Sequence, residues 1–124
     1  MTSRKLLIVD DHEELAESLA TVLSLHDYSA DIVSTARAAC EAVRERHYDL
    51  VLLDYALPDA SGAEVLAQLR ELKPTLSVFI MSGYSSHELY QREPRLMHET
   101  VLTKPMDPER VFQLLEIVND GSVR

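Results

Sequence analysis

The sequence predicts an α/β domain in which a doubly wound, five-stranded parallel sheet is covered by helices on both faces. Short apolar runs alternate five times with segments of helical periodicity, and the connections between them are short. The chain has 124 residues, 46% of them hydrophobic, with only three glycines and five prolines. That length and composition are typical of one compact domain with a real core.

The first half of this alternation begins with an apolar strand at Lys5–Val9, which ends at the pair Asp10-Asp11. Apolar residues then recur at helical spacing from Glu13 to Leu25, and glutamates in the first turn suit the positive end of the helix dipole. Tyr28–Val33 alternates loosely, which favours a second and more exposed strand. Ser34-Thr35 offers an N-cap for a helix that runs to about Arg46.

The third strand, Tyr48–Leu53, is a run of apolar residues that ends abruptly at the carboxylate of Asp54. The turn-rich segment Pro58–Gly62 leads into a helix predicted at Ala63–Leu72. Pro74 ends this helix, because the residue before a proline disfavours helical backbone angles. The third unit therefore places one carboxylate at the end of a buried strand.

The last two strands are predicted at Leu76–Met81 and Val101–Thr103, followed by Ser82-Gly83 and Lys104-Pro105. Between them lies a polar stretch with little periodicity, in which we expect a short helix before Pro94. A final helix from Asp107 to about Asn119 has an apolar stripe consisting of Val111, Leu114, Leu115 and Val118. We expect the domain to occupy residues 1–119, with 120–124 as a tail or the start of a linker.

Charge and composition exclude several classes of function. The formal net charge of −9 repels phosphate backbones and argues against direct nucleic-acid binding. No apolar run approaches the roughly 20 residues of a membrane span, and the first run is too short for a signal peptide, so we expect a cytoplasmic protein without membrane insertion. The single cysteine, Cys40, excludes an internal disulfide and is interpreted as a small core residue.

Polar residues fall at the carboxyl ends of four of the five strands, and parallel strands bring those ends to one crevice. Taken singly, each has an ordinary structural explanation, such as a cap or a turn. Together they match the chemistry of Mg²⁺-dependent phosphoryl transfer to an aspartate. Carboxylates from Asp10, Asp11 and Asp54 are hard oxygen ligands that suit Mg²⁺. Asp54 can act as a nucleophile and form an aspartyl phosphate, while Lys104 and Ser82 can bind the phosphoryl oxygens.

These motifs, in order and spacing, closely resemble the response-regulator receiver domains of two-component signalling. The resemblance covers nearly the whole chain and rests on Asp10-Asp11, Asp54 with Leu57-Pro58, Ser82-Gly83 and Lys104-Pro105. It implies a flavodoxin-like (β/α)5 fold with strand order 2-1-3-4-5. It also implies a phosphoprotein of phosphorelay signal transduction that switches its partner interactions and catalyses only its own phosphorylation and dephosphorylation.

The resemblance assigns a role to each residue of the set. Asp54 is expected to accept a phosphoryl group from the phosphohistidine of a sensor histidine kinase or a histidine phosphotransfer domain. Asp11 and Asp54 are expected to bind Mg²⁺ directly, Asp10 through water, and Ala56 through its backbone carbonyl. The expected phosphoryl-binding residues are Ser82, Gly83, Lys104 and Ala56. The peptide bond before Pro105 is commonly cis in this family.

Three positions depart from the family pattern. Val101 stands where many members have a Tyr or Phe that couples to the Ser or Thr after the fourth strand. Ala56 and Tyr84 carry neither a carboxylate nor an amide, so neither can easily orient a water against the phosphoryl group, and we expect slow self-dephosphorylation.

His12 is expected to face solvent at a helix start, since Mg²⁺ prefers oxygen ligands.

Two other functions are compatible with parts of the pattern. A Mg²⁺-dependent phosphohydrolase of the haloacid dehalogenase type would need a second Asp two residues after the nucleophile, where this chain has Ala56. A phosphate-independent interaction domain would not need the intact acidic and basic set. The downstream partner stays open, as does the choice between a stand-alone receiver and one from a larger protein such as a hybrid kinase.

Overall fold

The computed structural model describes residues 4–119, with side chains to residue 117. It contains one five-stranded sheet in the order β2-β1-β3-β4-β5, in which every neighbouring pair is parallel. This confirms the predicted fold class and strand order. The strands are β1 (Arg4–Val9), β2 (Tyr28–Val33), β3 (Leu50–Asp54), β4 (Val78–Ser82) and β5 (Thr100–Thr103).

In the described part of the chain, five helices connect and follow the strands, at positions close to those predicted. They are α1 (Glu13–Ser24), α2 (Ala36–Glu45), α3 (Gly62–Leu72), α4 (Ser86–Arg92) and α5 (Pro108–Asn119). The expected break at Pro94 occurs, but the chain then forms a 3₁₀ turn over Pro94–Leu96 that periodicity did not indicate. Within residues 4–119, no helix has the length and apolarity that crossing a bilayer requires. The predicted tail at 120–124 and the side chain of Val118 lie outside the described part.

The strand side chains alternate between two faces, and each face has its own core. Leu7, Val9 and Leu53 pack with α2, α3 and α4 on one face. Leu6 and Leu52 pack with α1 and α5 on the other face. β3 and β4 are buried throughout, as near-continuous apolar strands of a parallel sheet should be. The edge strand β2 is mostly half-buried, as its looser alternation predicted.

Side-chain caps fix where three of the helices begin. Thr35 accepts a hydrogen bond from the backbone N–H of Ala38, which confirms the predicted cap of α2. α3 and α4 each begin with a reciprocal capping box, formed by Ser61 with Glu64 and by Ser85 with Glu88. These caps satisfy backbone donors that the first helical turn would otherwise leave unpaired. The loops that precede them leave the same edge of the sheet, where the polar residues gather.

Candidate functional site

The polar side chains lie at the carboxyl ends of β1, β3, β4 and β5, on one edge of the sheet. Asp10 directly follows β1, Asp54 is the last residue of β3, and Ser82 is the last residue of β4. Strand register pairs Asp54 with Met81, and Lys104 follows β5 with its backbone N–H donating to the Ser82 carbonyl across 2.6 Å. Short parallel strands in this register leave their ends level, so residues far apart in sequence meet at a single crevice.

Lys104 lies between the two buried aspartates of the crevice and bonds both of them. Its Nζ donates to Asp10 Oδ2 across 2.9 Å and to Asp54 Oδ2 across 3.1 Å. Both aspartates are buried, while the lysine side chain retains 19% of its exposure. One ammonium therefore bridges two buried carboxylates at charge-assisted hydrogen-bond distances. The peptide bond between Lys104 and Pro105 is cis, as the family resemblance implied.

The two bridged carboxyls have opposite pKa shifts. Burial raises the pKa of Asp54 above its usual value, and the nearby charge of Asp10 adds to this, although Lys104 and the Ala56 N–H oppose it. Burial acts on Asp10 too, but the His12 N–H and Lys104 outweigh it and hold the pKa of Asp10 below its usual value. The same hydrogen bonds outweigh desolvation at Lys104 and raise its pKa. Asp54 is thus the more basic carboxylate of the pair.

Backbone donors in the adjoining loops orient both carboxylates. The His12 N–H donates to Asp10 Oδ1 across 3.0 Å, and the Ala56 N–H donates to Asp54 Oδ1 across 3.2 Å. In each bond an aspartate side chain accepts the backbone N–H of the residue two positions on, the local turn geometry typical of Asp. The loop after β3 is closed by a bridge between Ala56 and Ser61. The position of the Asp54 carboxylate is therefore set by its own strand and loop together with Lys104.

The carboxylates form a cluster that fits a divalent cation. Asp10, Asp11, His12 and Asp54 each offer one ligand atom, and these atoms lie within 4.8 Å of one another. Three of the four donors are carboxylate oxygens, the type that hard cations prefer. His12 is largely exposed, as predicted, with 62% of its side chain accessible. Its Nδ1 nevertheless lies 3.1 Å from Asp10 Oδ1 and 3.4 Å from Asp11 Oδ1, a contact that the sequence did not indicate.

Ser82 and Gly83 lie at the neighbouring rim of the crevice. The Ser82 hydroxyl oxygen is buried and accepts the Tyr84 backbone N–H across 2.9 Å. Gly83 is exposed, and a Cβ built on it would meet nothing within 4 Å, so the space beside Ser82 is open. Val101 is half-buried beneath this rim and packs against the core shared with α3 and α4.

Aromatic contacts beside the crevice were not predicted. Tyr55 follows Asp54, and its hydroxyl donates to Glu93 Oε1 across 3.2 Å. Tyr84 packs edge-to-face on Tyr55, and the Arg92 guanidinium carbon lies 4.2 Å from the centre of the Tyr84 ring. Nothing in the sequence links these residues, because their partners are set by how α4 packs rather than by any local spacing.

Comparison with known proteins places the chain in one family. A family model described as the response regulator receiver domain matches residues 6–116. Among curated relatives, the transcriptional regulatory protein BasR of Escherichia coli K12 is 41% identical over 79 residues, covering 64% of this chain and 36% of BasR. Sporulation initiation phosphotransferase F of Bacillus subtilis is 29% identical over 111 residues and is covered, like this chain, to 90%. The chain spans only 36% of BasR and 25% of the E. coli regulator ZraR.

Solved structures agree with the family match. A CheY-like receiver domain from Methylobacillus flagellatus is 31% identical and superposes with a TM-score of 0.81, covering 92% of this chain and 97% of that one. The response regulator TrrA of Thermotoga maritima, solved in complex with Mg²⁺-BeF, has a TM-score of 0.80 at 24% identity. The superposition includes 91% of this chain and 96% of TrrA. At that identity the likeness shows a shared fold.

Proposed function

Since this chain belongs to the response regulator receiver domain family, the phosphoryl-accepting signalling modules of two-component systems, we propose that Asp54 is its acceptor and Mg²⁺ its cation. The observation that supports this most directly is the Lys104 ammonium between Asp10 and Asp54 at the carboxyl edge of the sheet. Phosphoryl transfer depends on positioning and charge neutralisation, and this crevice supplies both on rigid elements.

Asp54 is a better nucleophile than Asp10 for two reasons. Lys104 donates to Oδ2 of both carboxylates, so the two aspartates differ at Oδ1. Asp10 Oδ1 is engaged by both the His12 N–H and the His12 ring. Asp54 Oδ1 accepts only the longer hydrogen bond from the Ala56 N–H among the described residues. The raised pKa of Asp54 also indicates a more basic carboxylate than Asp10, whose pKa is lowered. Asp10 is therefore better suited to bind a cation than to attack phosphorus.

In the proposed step, an oxygen of Asp54 attacks the phosphorus of a phosphohistidine. A P–O bond forms, the P–N bond breaks, and the histidine nitrogen leaves with the bonding electron pair and takes up a proton. Lys104 would offer a positive charge to the phosphoryl oxygens, and Ser82, Gly83 and Ala56 are the further residues proposed to bind them. Asp10, Asp11, Asp54 and the Ala56 carbonyl would hold Mg²⁺, which supplies further charge neutralisation.

The proposed donor is a sensor histidine kinase or a histidine phosphotransfer domain, and the proposed location is the cytoplasm. The family match and the acidic surface, which disfavours nucleic acid, support a protein partner. We assign this role to a domain occupying residues 1–119. Its own chemistry would be limited to gaining and losing the phosphoryl group, since Ala56 stands where a phosphohydrolase would need a general acid.

Intact-mass measurement after incubation with acetyl phosphate tests this proposal. We expect one phosphoryl adduct on the wild type with Mg²⁺, and none when a chelator replaces the metal. Asp54→Asn should give no adduct. Asp27→Asn is the matched control, because Asp27 has a backbone φ of 64° that Asn also tolerates and lies outside the acidic cluster. An equal adduct on Asp54→Asn, or none on the wild type, would overturn the assignment.

A further inference from the structure

The last residues of α4 contact the two tyrosines that flank the phosphorylation site. Arg92, the final residue of α4, places its guanidinium carbon 4.2 Å from the Tyr84 ring centre, within cation–π distance. Glu93, the C-cap, accepts the Tyr55 hydroxyl across 3.2 Å. The Tyr55 and Tyr84 rings meet edge-to-face with centres 6.4 Å apart. A continuous set of contacts thus joins the end of α4 to the residues beside Asp54 and Ser82.

We propose that Tyr55, Tyr84, Arg92 and Glu93 form an aromatic latch that holds the end of α4 in the unphosphorylated state and opens on phosphorylation. The inference rests on the proposed function, because it takes phosphorylation at Asp54 as the signal. It gives this chain a way to transmit that signal without an aromatic residue at position 101.

One half of the latch is rigid. The Tyr55 N–H donates to the Met81 carbonyl across 2.8 Å, and its own carbonyl accepts the Gly62 N–H across 2.6 Å. These bonds fix the Tyr55 backbone to β4 and to the start of α3. Tyr55 therefore provides a fixed surface on which the Tyr84 ring rests.

The other half is connected to the site by one hydrogen bond. The Tyr84 N–H donates to the Ser82 hydroxyl oxygen across 2.9 Å. If Ser82 turns its hydroxyl toward a phosphoryl oxygen on Asp54, that oxygen moves away from the Tyr84 N–H and the bond is lost. Tyr84 then loses the contact that fixes its backbone, and its ring is free to leave Arg92. The acceptor and the end of α4 are coupled through this residue.

The rest of α4 is anchored, so the opening is confined to its end. Leu89 is fully buried in the core, and the Tyr90 hydroxyl donates to the Glu99 carbonyl across 2.8 Å. Val101 is paired with Ile80 in the sheet and has neither a ring nor a hydroxyl that could swing in response to Ser82. A bistable contact is required for a switch, and Tyr84 with Arg92 offers one beside the site.

Thermodynamic linkage makes the latch measurable. A contact present only in the unphosphorylated state opposes any ligand that favours the other state, by a factor set by the energy of the contact. A cation–π contact of this type corresponds to roughly two- to fivefold in an equilibrium constant. Breaking it should therefore tighten the binding of a phosphoryl mimic by about that factor.

The experiment is a titration of the Mg²⁺-loaded protein with beryllofluoride, followed by the ¹⁹F resonance of the bound mimic. We expect Tyr84→Leu, Arg92→Gln and the double variant each to bind roughly two- to fivefold more tightly than the wild type, with no further gain in the double variant. Tyr84→Phe keeps the ring and should match the wild type. Arg37→Gln removes an exposed arginine on α2 and serves as the charge-matched control.

Amide hydrogen exchange gives a second readout. Beryllofluoride should speed exchange at Arg92 and Glu93 in the wild type, and in Arg92→Gln that exchange should be fast without the mimic. Unchanged or weaker affinity in Arg92→Gln, which alters an exposed side chain and should fold normally, would overturn the latch and leave the proposed function intact. Failure of the wild type itself to bind the mimic would overturn both.

Discussion

The ammonium of Lys104 donates to Oδ2 of Asp54 across 3.1 Å, although 50 positions separate the two residues in the chain. The same ammonium donates to Asp10, so one positive charge faces two buried carboxylates. Two carboxylates and one ammonium leave an excess negative charge among largely buried groups. Burial together with the nearby charge of Asp10 raises the pKa of Asp54, while the hydrogen bonds from His12 and Lys104 lower the pKa of Asp10. The excess negative charge also explains why a divalent cation suits the site.

Replacing Lys104 should destabilise the protein. Lys104→Met leaves Asp10 and Asp54 buried without their shared counter-charge, and we expect a loss of about 2–3 kcal/mol in the free energy of unfolding in metal-free buffer. Urea denaturation measures it. Lys73→Met is the control, because Lys73 is exposed and should change stability by less than about 0.5 kcal/mol. Equal stabilities for the two variants would contradict the bridged arrangement.

The opposite shifts also determine the response to pH. The pKa of Asp10 is lower in the folded protein than its unfolded value of 3.8. Asp10 therefore stabilises the fold at pH values above 3.8, and this stabilisation is lost as the pH falls through the folded-state pKa. The pKa of Asp54 is higher in the folded protein than its unfolded value of 3.8, so its effect on stability is opposite. The folded protein loses stability as the pH rises from 3.8 through the folded-state pKa of Asp54.

Asp54→Asn should therefore be more stable than the wild type at pH 7 without metal, by on the order of 1 kcal/mol. The difference should vanish as the pH falls below the unfolded value of 3.8. Adding Mg²⁺ should raise the melting temperature of the wild type more than that of the variant, because binding to the folded state stabilises it. A variant less stable than the wild type at neutral pH in a chelator would count against this charge balance.

Gly62 begins α3 where the chain passes close to the backbone of Tyr55. A Cβ built on Gly62 would lie 2.7 Å from Tyr55 Cα, a contact with main chain that cannot move aside easily. We expect Gly62→Ala to lower the free energy of unfolding by about 1–3 kcal/mol. Gly83→Ala, where a Cβ meets nothing within 4 Å, should be close to neutral in the same denaturation experiment. Tolerance of both substitutions would show that the loop after β3 adjusts freely.

The aspartyl phosphate should be long-lived, because Ala56 and Tyr84 offer no carboxylate or amide to orient an attacking water. Tyr84→Glu should lose its phosphoryl group several-fold faster than the wild type, followed by intact mass over time after acetyl phosphate is removed. Tyr84→Leu removes the same ring without adding a carboxylate and should not accelerate the loss. Equal lifetimes for Tyr84→Glu and the wild type would refute this explanation.

The sheet, and the gathering of polar residues at its carboxyl edge, were predictable because their signals are local or follow from topology. Apolar runs ending in Asp10, Asp54, Ser82 and Lys104 mark the carboxyl ends of strands, and a parallel sheet can only bring those ends together. The cap at Thr35 was likewise readable, since its bonding partner lies within the same helical turn.

The remaining contacts depend on tertiary packing that periodicity does not encode. Asp59 accepts the backbone N–H groups of Ala36 and Arg37, joining the loop after β3 to the start of α2. Arg70 forms a two-pronged ion pair with Glu99 that connects α3 to the segment before β5. Each pair is separated by 22 or more positions, and neither residue type alone indicates its partner. The aromatic latch belongs to the same class.

Locating the phosphoryl group on the chain tests the central claim most directly. Borohydride reduces an acyl phosphate to an alcohol and releases phosphate, so a phosphorylated aspartate becomes homoserine, which peptide mass spectrometry can place. After treatment with acetyl phosphate and Mg²⁺, we expect homoserine at position 54 and unmodified aspartate at Asp10 and Asp11. Homoserine at either of those residues, or at none of the three, would contradict the assignment of Asp54 as the acceptor.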